Sequence, residues 1–121
     1  MPVRLLSLSI LKWPDAQTVD RAIRRWADGV GQRHEDVQRI GYFGSYARGN
    51  WGVGSDLDIV IVVRSSEQPF EQRAAKWDMT EFPVPVDLLV YTKDEWRSLV
   101  QQGRFASTML KEVVWVFMGS E

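Results

Sequence analysis

The sequence contains no cysteine, which excludes disulfide bonds and any metal site built on thiolate ligands. It also lacks an apolar run long enough to cross a membrane. Its N-terminus lacks the continuous apolar core of a secretory signal peptide. We therefore expect a protein that acts in the cytoplasm and does not bind membranes.

Neither sign of charge is in excess, because 15 basic residues are balanced by 16 acidic ones and the net charge is -1. Without a general basic field the chain is not expected to hold an extended nucleic acid, although a local basic patch remains compatible with this composition. A length of 121 residues, of which 45% are hydrophobic, suits one core. We therefore expect a single domain spanning residues 1–121.

Hydrophobic periodicity predicts helices and strands in alternation along the chain. Amphipathic spacing and capping signals predict helices at about Ala16–Arg33, at about Pro69–Met79, from near Lys93, and at Arg104–Lys111. Apolar runs predict strands at Arg4–Leu11, Val37–Phe43, Leu57–Val63, Val86–Tyr91 and Val113–Met118. The near-continuous apolar character of Leu57–Val63 is typical of a central strand that is covered on both faces.

A glycine turn follows the strand Val37–Phe43, in the form Gly44-Ser45. The next three residues, ending at Arg48, can start a short helix, and free backbone N–H groups point outward at such a turn. The pattern predicts an anion site in which Ser45 binds phosphate. A Gly-Ser turn alone is weak evidence, however, because many loops contain one.

Two further side chains can reach the same anion. Arg48 lies one turn into the short helix, and Ser55 lies in the glycine-containing loop that follows it. An arginine at this position can instead pair with a surface acid. Trp51, in the same loop, can stack on a base, but packing against the core is the expected role.

Three acids precede or interrupt apolar strands. Asp56 and Asp58 are two apart, so their side chains share one face of the strand, roughly 7 Å apart along the chain. Asp87 interrupts the otherwise apolar strand Val86–Tyr91. Clustered carboxylates repel unless a cation neutralises them, and all-oxygen ligation suits magnesium or manganese rather than zinc. We expect this set to hold a pair of divalent ions.

Each acid also has a simpler interpretation. An Asp-x-Asp sequence often only caps a turn or binds calcium in a loop, and Asp87 can be a strand-start acid that faces solvent. Taken together and in this order, the turn and the three acids favour a nucleoside triphosphate site with two metal ions. The corresponding reaction is in-line attack of a hydroxyl group on phosphorus, with pyrophosphate as the leaving group.

The spacing of the turn and the acids resembles a known signature. Gly44-Ser45, ten intervening residues and then Asp56-Leu57-Asp58 are similar to the motif of the DNA polymerase β-like nucleotidyltransferases. The phrase Gly-Ser-Tyr-Ala-Arg-Gly and the short chain resemble the minimal nucleotidyltransferases, small proteins often paired with HEPN-domain partners in toxin–antitoxin systems.

The resemblance implies an α/β (α+β) fold with a mixed sheet flanked by helices. It implies Asp56, Asp58 and Asp87 as catalytic residues that hold two Mg²⁺ ions, with Mn²⁺ as the alternative. Asp87 would hold the catalytic ion and help to deprotonate the acceptor. It also implies ATP as the donor and, in the antitoxin members, AMP transfer to a tyrosine hydroxyl of the partner toxin.

Larger members of the family carry a helical domain that completes the acceptor site, and we expect a second chain to supply that wall here. This chain would be a HEPN-domain partner or a second copy of the protein. Two alternatives remain open: a binding module that neutralises a partner by contact, and a nucleotidyltransferase acting on a small molecule such as an aminoglycoside.

Overall fold

A computed structural model describes residues 13–119, except for the side chains of residues 105 and 106. The strand predicted at Arg4–Leu11 lies outside the described residues. Within them no helix is both long enough and apolar enough to cross a membrane.

The longest helix, α1 (Ala16–Arg33), has the bounds that its periodicity predicts. Asp15 caps it by accepting a hydrogen bond from the backbone N–H of Thr18 at 2.8 Å. One face is buried over the full length of the helix, through Val19, Ile23, Trp26, Ala27 and Val30. This apolar stripe fixes α1 against the sheet.

The remaining helices and strands alternate until two helices follow each other before the last strand. They are β1 (Val37–Phe43), α2 (Ser45–Arg48), β2 (Leu57–Val63), α3 (Phe70–Arg73), β3 (Val86–Thr92), α4 (Lys93–Val100), α5 (Gly103–Glu112) and β4 (Val114–Met118). α4 begins with the capping box predicted for Thr92 and Glu95. Val113 caps the C-terminus of α5 instead of beginning β4, because its N–H still donates to the carbonyl oxygen of Met109.

The four described strands form one mixed sheet in the order β3-β2-β1-β4. β1 runs antiparallel to both β2 and β4, whereas β2 and β3 are parallel. One face packs against α1, and the other packs against α4 and α5 through a second cluster that includes Val60, Val62, Trp96 and Met109. The α/β architecture and the central position of β2 are thus confirmed.

The crossover between β2 and β3 differs from the prediction. Only Phe70–Arg73 is α-helical, and a 3₁₀ turn at Ala74–Lys76 replaces the expected continuation to Met79. Trp77 is extended and packs edge-on against Trp26, with ring centroids 6.3 Å apart. Phe70 contacts Tyr91 instead. Phe70 and Trp77 therefore pack against different parts of the protein and do not lie on one helical face.

Candidate active site

The turn after β1 has the backbone conformation that only glycine adopts readily. Gly44 has φ 78° and ψ -152°, and it precedes the single turn of α2. A Cβ atom at this position would collide with the carboxylate of Asp58. The glycine therefore allows the turn and the acid to touch, and this contact joins the two halves of the predicted motif.

The sheet register brings two of the predicted acids side by side. Asp58 on β2 lies directly opposite Asp87 on the parallel strand β3 and opposite Phe43 on the antiparallel strand β1. Asp56 lies two residues before Asp58, just outside the strand. Asp56 and Asp87 are exposed, and Asp58 is half-buried. The three carboxylates thus lie at one edge of the sheet.

Electrostatics at this edge disfavours negative charge. Burial raises the pKa of the Asp58 carboxyl, and the negative charges of Asp87 and Asp56 raise it further. The positive charge of Arg48 acts in the opposite direction without cancelling these effects. A cation bound at the edge would relieve the repulsion.

The residues fit divalent ions in donor type and position, although their present side-chain geometry does not form a ligand shell. Across residues 13–119, no three carboxylate or imidazole side chains converge in a way that could hold a metal ion. The donors are nevertheless all carboxylate oxygens, as Mg²⁺ and Mn²⁺ prefer, and they lie on or just before two neighbouring strands. Since like charges repel, converging on one point would require the cation itself.

Arg48 pairs with an acid, which the sequence analysis gave as an alternative to phosphate binding without naming the partner. Its Nη1 lies 3.3 Å from both carboxylate oxygens of Glu112, the last residue of α5. Oε1 of the same carboxylate also accepts a hydrogen bond from the backbone N–H of Gly44 at 3.3 Å. Sequence reasoning missed Glu112, because nothing local distinguishes this acid and its partners are more than 60 residues away.

In the loop between α2 and β2, Ser55 and Trp51 make contacts within the protein. The Ser55 hydroxyl oxygen accepts a hydrogen bond from the backbone N–H of Gly52 at 2.8 Å, which closes the loop on itself. Trp51 stacks on Tyr46 with centroids 5.7 Å apart and planes 7° from parallel. It also packs against the main core, so the expected packing role of Trp51 is confirmed.

The sequence matches one protein family over most of its length. The profile of the nucleotidyltransferase domain family matches residues 23–116, which include the turn, the three acids and Glu112. A search of curated protein sequences gave no match.

Solved structures with a similar fold include a protein from Sulfolobus solfataricus whose assignment as a nucleotidyltransferase is provisional. It is 19% identical, and the alignment covers 85% of this chain and 83% of that one with a TM-score of 0.61. At this identity the similarity establishes the fold alone. A toxin–antitoxin structure with AMP-PNP aligns less well, with 17% identity, coverages of 84% and 74%, and a TM-score of 0.48. This second alignment is too weak to support an argument.

Proposed function

Because the chain belongs to the nucleotidyltransferase domain family, we propose that it transfers a nucleotide, AMP from ATP, to a hydroxyl group of a partner protein. The observation that carries this proposal is the contact between Gly44 and Asp58. It supports one continuous site in which the Gly44 turn would bind phosphates and the acidic edge, formed by Asp56, Asp58 and Asp87, would bind the cations that accompany them.

The phosphate side of the site is formed by groups that donate hydrogen bonds or carry positive charge. In this proposal the oxygens of the triphosphate would accept from the backbone N–H of Gly44, the hydroxyl of Ser45 and the guanidinium of Arg48. Ser55 contributes mainly by keeping the neighbouring loop closed. Arg48 is exposed, so its side chain can follow the ligand.

The carboxylates of Asp56, Asp58 and Asp87 would hold the divalent ions, which supply charge neutralisation and activation of the attacking hydroxyl. In the reaction, the acceptor oxygen forms a bond to the α-phosphorus of ATP. The bond between that phosphorus and the bridging oxygen to the β-phosphate breaks, and pyrophosphate leaves. The proton of the acceptor hydroxyl passes to the carboxylate of Asp87.

The acceptor is proposed to be a protein because the acidic edge lies open. Asp56 and Asp87 are exposed in the described part of the chain, so a large acceptor can approach them. A HEPN-domain toxin would be the partner in a toxin–antitoxin pair, and a second copy of the chain is the alternative partner. Both assignments extend the resemblance of the sequence motif and require direct tests.

Incubation with magnesium and ATP labelled at the α-phosphate, together with the protein encoded by the adjacent gene, tests the proposal. We expect label on the partner with the wild type and with Asp28→Asn, which removes an exposed acid from α1. We expect none with Asp56→Ala or Asp58→Ala. Label that persists in both site variants would contradict the proposed catalytic role of these acids.

A non-catalytic binding module is the second candidate, because the exposed carboxylates of Asp56 and Asp87 are also accessible to simple contact with a partner. The two functions differ in their response to the same variants. If the partner is neutralised equally well by Asp56→Ala and Asp58→Ala, contact alone is sufficient and the binding module is the better account.

A further inference from the structure

The carboxylate of Glu112 lies on the phosphate side of the site, where the proposed function requires positive charge and N–H donors. Its Oε1 accepts from the backbone N–H of Gly44 at 3.3 Å, and both of its oxygens lie 3.3 Å from Nη1 of Arg48. Both donors are also proposed to bind the triphosphate. A phosphate oxygen and the Glu112 carboxylate therefore compete for the same donors.

The position of Glu112 is electrostatically unfavourable in one respect. Its carboxylate binds the N–H of Gly44, and the Asp58 carboxylate lies against the same glycine, so two negative charges flank one residue. Neither the Gly44 turn nor the three predicted acids require a fourth carboxylate here. The structure thus places the Glu112 carboxylate beside an edge that already carries three acidic side chains.

The contact of Glu112 with Gly44 and Arg48 is also weak enough for a ligand to displace. All three hydrogen bonds are long at 3.3 Å, and the Arg48 side chain is 48% exposed against 19% for Glu112, so solvent partly screens the ion pair. Glu112 is the last residue of α5, where small backbone shifts move a side chain without breaking the helix. A triphosphate carries more negative charge than one carboxylate and offers more acceptor oxygens to the same donors.

We propose that Glu112 is an internal competitor of the nucleotide, which occupies the donors of Gly44 and Arg48 in the free protein and leaves them when a triphosphate binds. This inference rests on the proposed function. It makes Glu112 a residue that sets the affinity for ligands whose phosphates use this turn. Ligands without phosphate do not need to displace it.

Isothermal titration calorimetry with inorganic triphosphate, ATP with Mg²⁺, and adenosine tests the proposal on the wild type and on Glu112→Gln. Glutamine keeps the size of the side chain and removes its charge. We expect Glu112→Gln to bind triphosphate and ATP about threefold to fivefold more tightly, the size expected for release of one screened ion pair. Adenosine binding should not change.

Two control variants separate displacement from other effects. Asp28→Asn changes the net charge equally on α1, and its triphosphate affinity should stay within about twofold of the wild type. In an Arg48→Gln background, Glu112→Gln should gain less affinity than it does alone, because one of the contested donors is gone. Thermal unfolding of each variant verifies that the protein is folded.

Weaker triphosphate binding by Glu112→Gln would overturn the proposal and would identify Glu112 as a residue that positions Arg48 for the ligand. Unchanged binding would overturn it as well and would leave the proposed function intact. An equal gain with Asp28→Asn would show a general charge effect and also contradict displacement. If the wild type and every variant fail to bind ATP and triphosphate, the proposed function itself is contradicted.

Discussion

The two ends of the parallel strand pair β2–β3 can be compared by how they treat charge. At the carboxyl end, Arg73 and Glu95 neutralise each other, and the guanidinium also donates to the backbone oxygens of Gln68 and Val90. At the amino end, Asp58 and Asp87 lie directly opposite each other with like charges. One end pairs opposite charges, whereas the other places like charges side by side.

Burial follows the same division. The Arg73 side chain is 8% exposed and is the one buried charged residue among residues 13–119, which is tolerated because its donors have partners. Arg48 at the site is 48% exposed, with a single long ion pair. The difference teaches that paired, buried charge maintains the fold here, whereas unpaired or weakly paired charge marks the site.

The location of the site also has a structural reason. Ligands of parallel sheets usually lie at the carboxyl ends of the strands. In this chain the acids lie at the amino ends of β2 and β3. The antiparallel strand β1 places its own carboxyl end, with Phe43 and the Gly44 turn, beside Asp58. The Gly44 turn and the acids can therefore meet only at this edge.

The largest effect is expected at the carboxyl end. Arg73→Ala leaves two backbone oxygens and the Glu95 carboxylate without their donor, and it should lower the free energy of unfolding by about 3 kcal/mol. The matched change Arg48→Ala should cost less than about 1 kcal/mol. Urea unfolding of both variants measures the difference, and equal losses would remove the distinction between the two arginines.

A smaller effect is expected at the turn. Gly44→Ala forces a strained backbone conformation and pushes a Cβ atom into Asp58, so we expect a loss of about 2 kcal/mol and of nucleotide transfer. Gly49 also has a positive φ of 85°, but a Cβ there meets nothing within 4 Å. Gly49→Ala should cost about 1 kcal/mol and retain transfer. Loss of nucleotide transfer in both Gly44→Ala and Gly49→Ala would show that the contact with Asp58 does not explain the effect on transfer.

The smallest effect depends on pH. The hydrogen bond from Arg73 lowers the pKa of Glu95 below its ordinary value of 4.5, and the hydrogen bond from the Thr92 backbone lowers it further, against the effect of burial. The resulting stabilisation is present above the unfolded pKa and is lost as the pH falls through the folded pKa. Glu95→Gln, which can keep the capping box, should therefore cost about 1 kcal/mol at pH 7.

The same variant should cost less at pH 3, which lies below the ordinary pKa of 4.5, because the stabilisation that comes from the lowered pKa is lost there. Urea unfolding of wild type and Glu95→Gln at both pH values gives the comparison. A difference that does not change with pH would assign the effect of Glu95 to the shape of the capping box and not to its charge.

Much of the fold follows from local patterns that leave a mark in the sequence. The stripe of α1, the cap at Asp15, the capping box at Thr92 and the continuous apolar run of β2 each specify their element within a few residues. The crossover was harder to predict. Phe70 and Trp77 have helical spacing, but each packs against a different distant side chain, and such contacts are invisible in a local window.

The candidate site could likewise be predicted only where its residues are close together in the sequence. The spacing of Gly44, Asp56 and Asp58 predicts a shared site because a strand and its preceding turn lie next to each other in the chain. The pairing of Asp58 with Asp87 depends on sheet register, which the acids alone only suggest. The approach of Glu112 depends on how α5 returns to the sheet, and no residue near Glu112 encodes that path.

The central claim is that the acidic edge and the Gly44 turn together hold a nucleoside triphosphate with divalent cations. Thermal unfolding with a non-hydrolysable ATP analogue, with and without Mg²⁺, tests it most directly on wild type and Asp58→Asn. We predict that Mg²⁺ and the analogue together raise the wild-type unfolding midpoint by several degrees when the analogue is present at about 100 times its Kd. The midpoint of Asp58→Asn should not change under the same conditions. A wild-type midpoint that responds to neither, or an equal rise in Asp58→Asn, would contradict the claim.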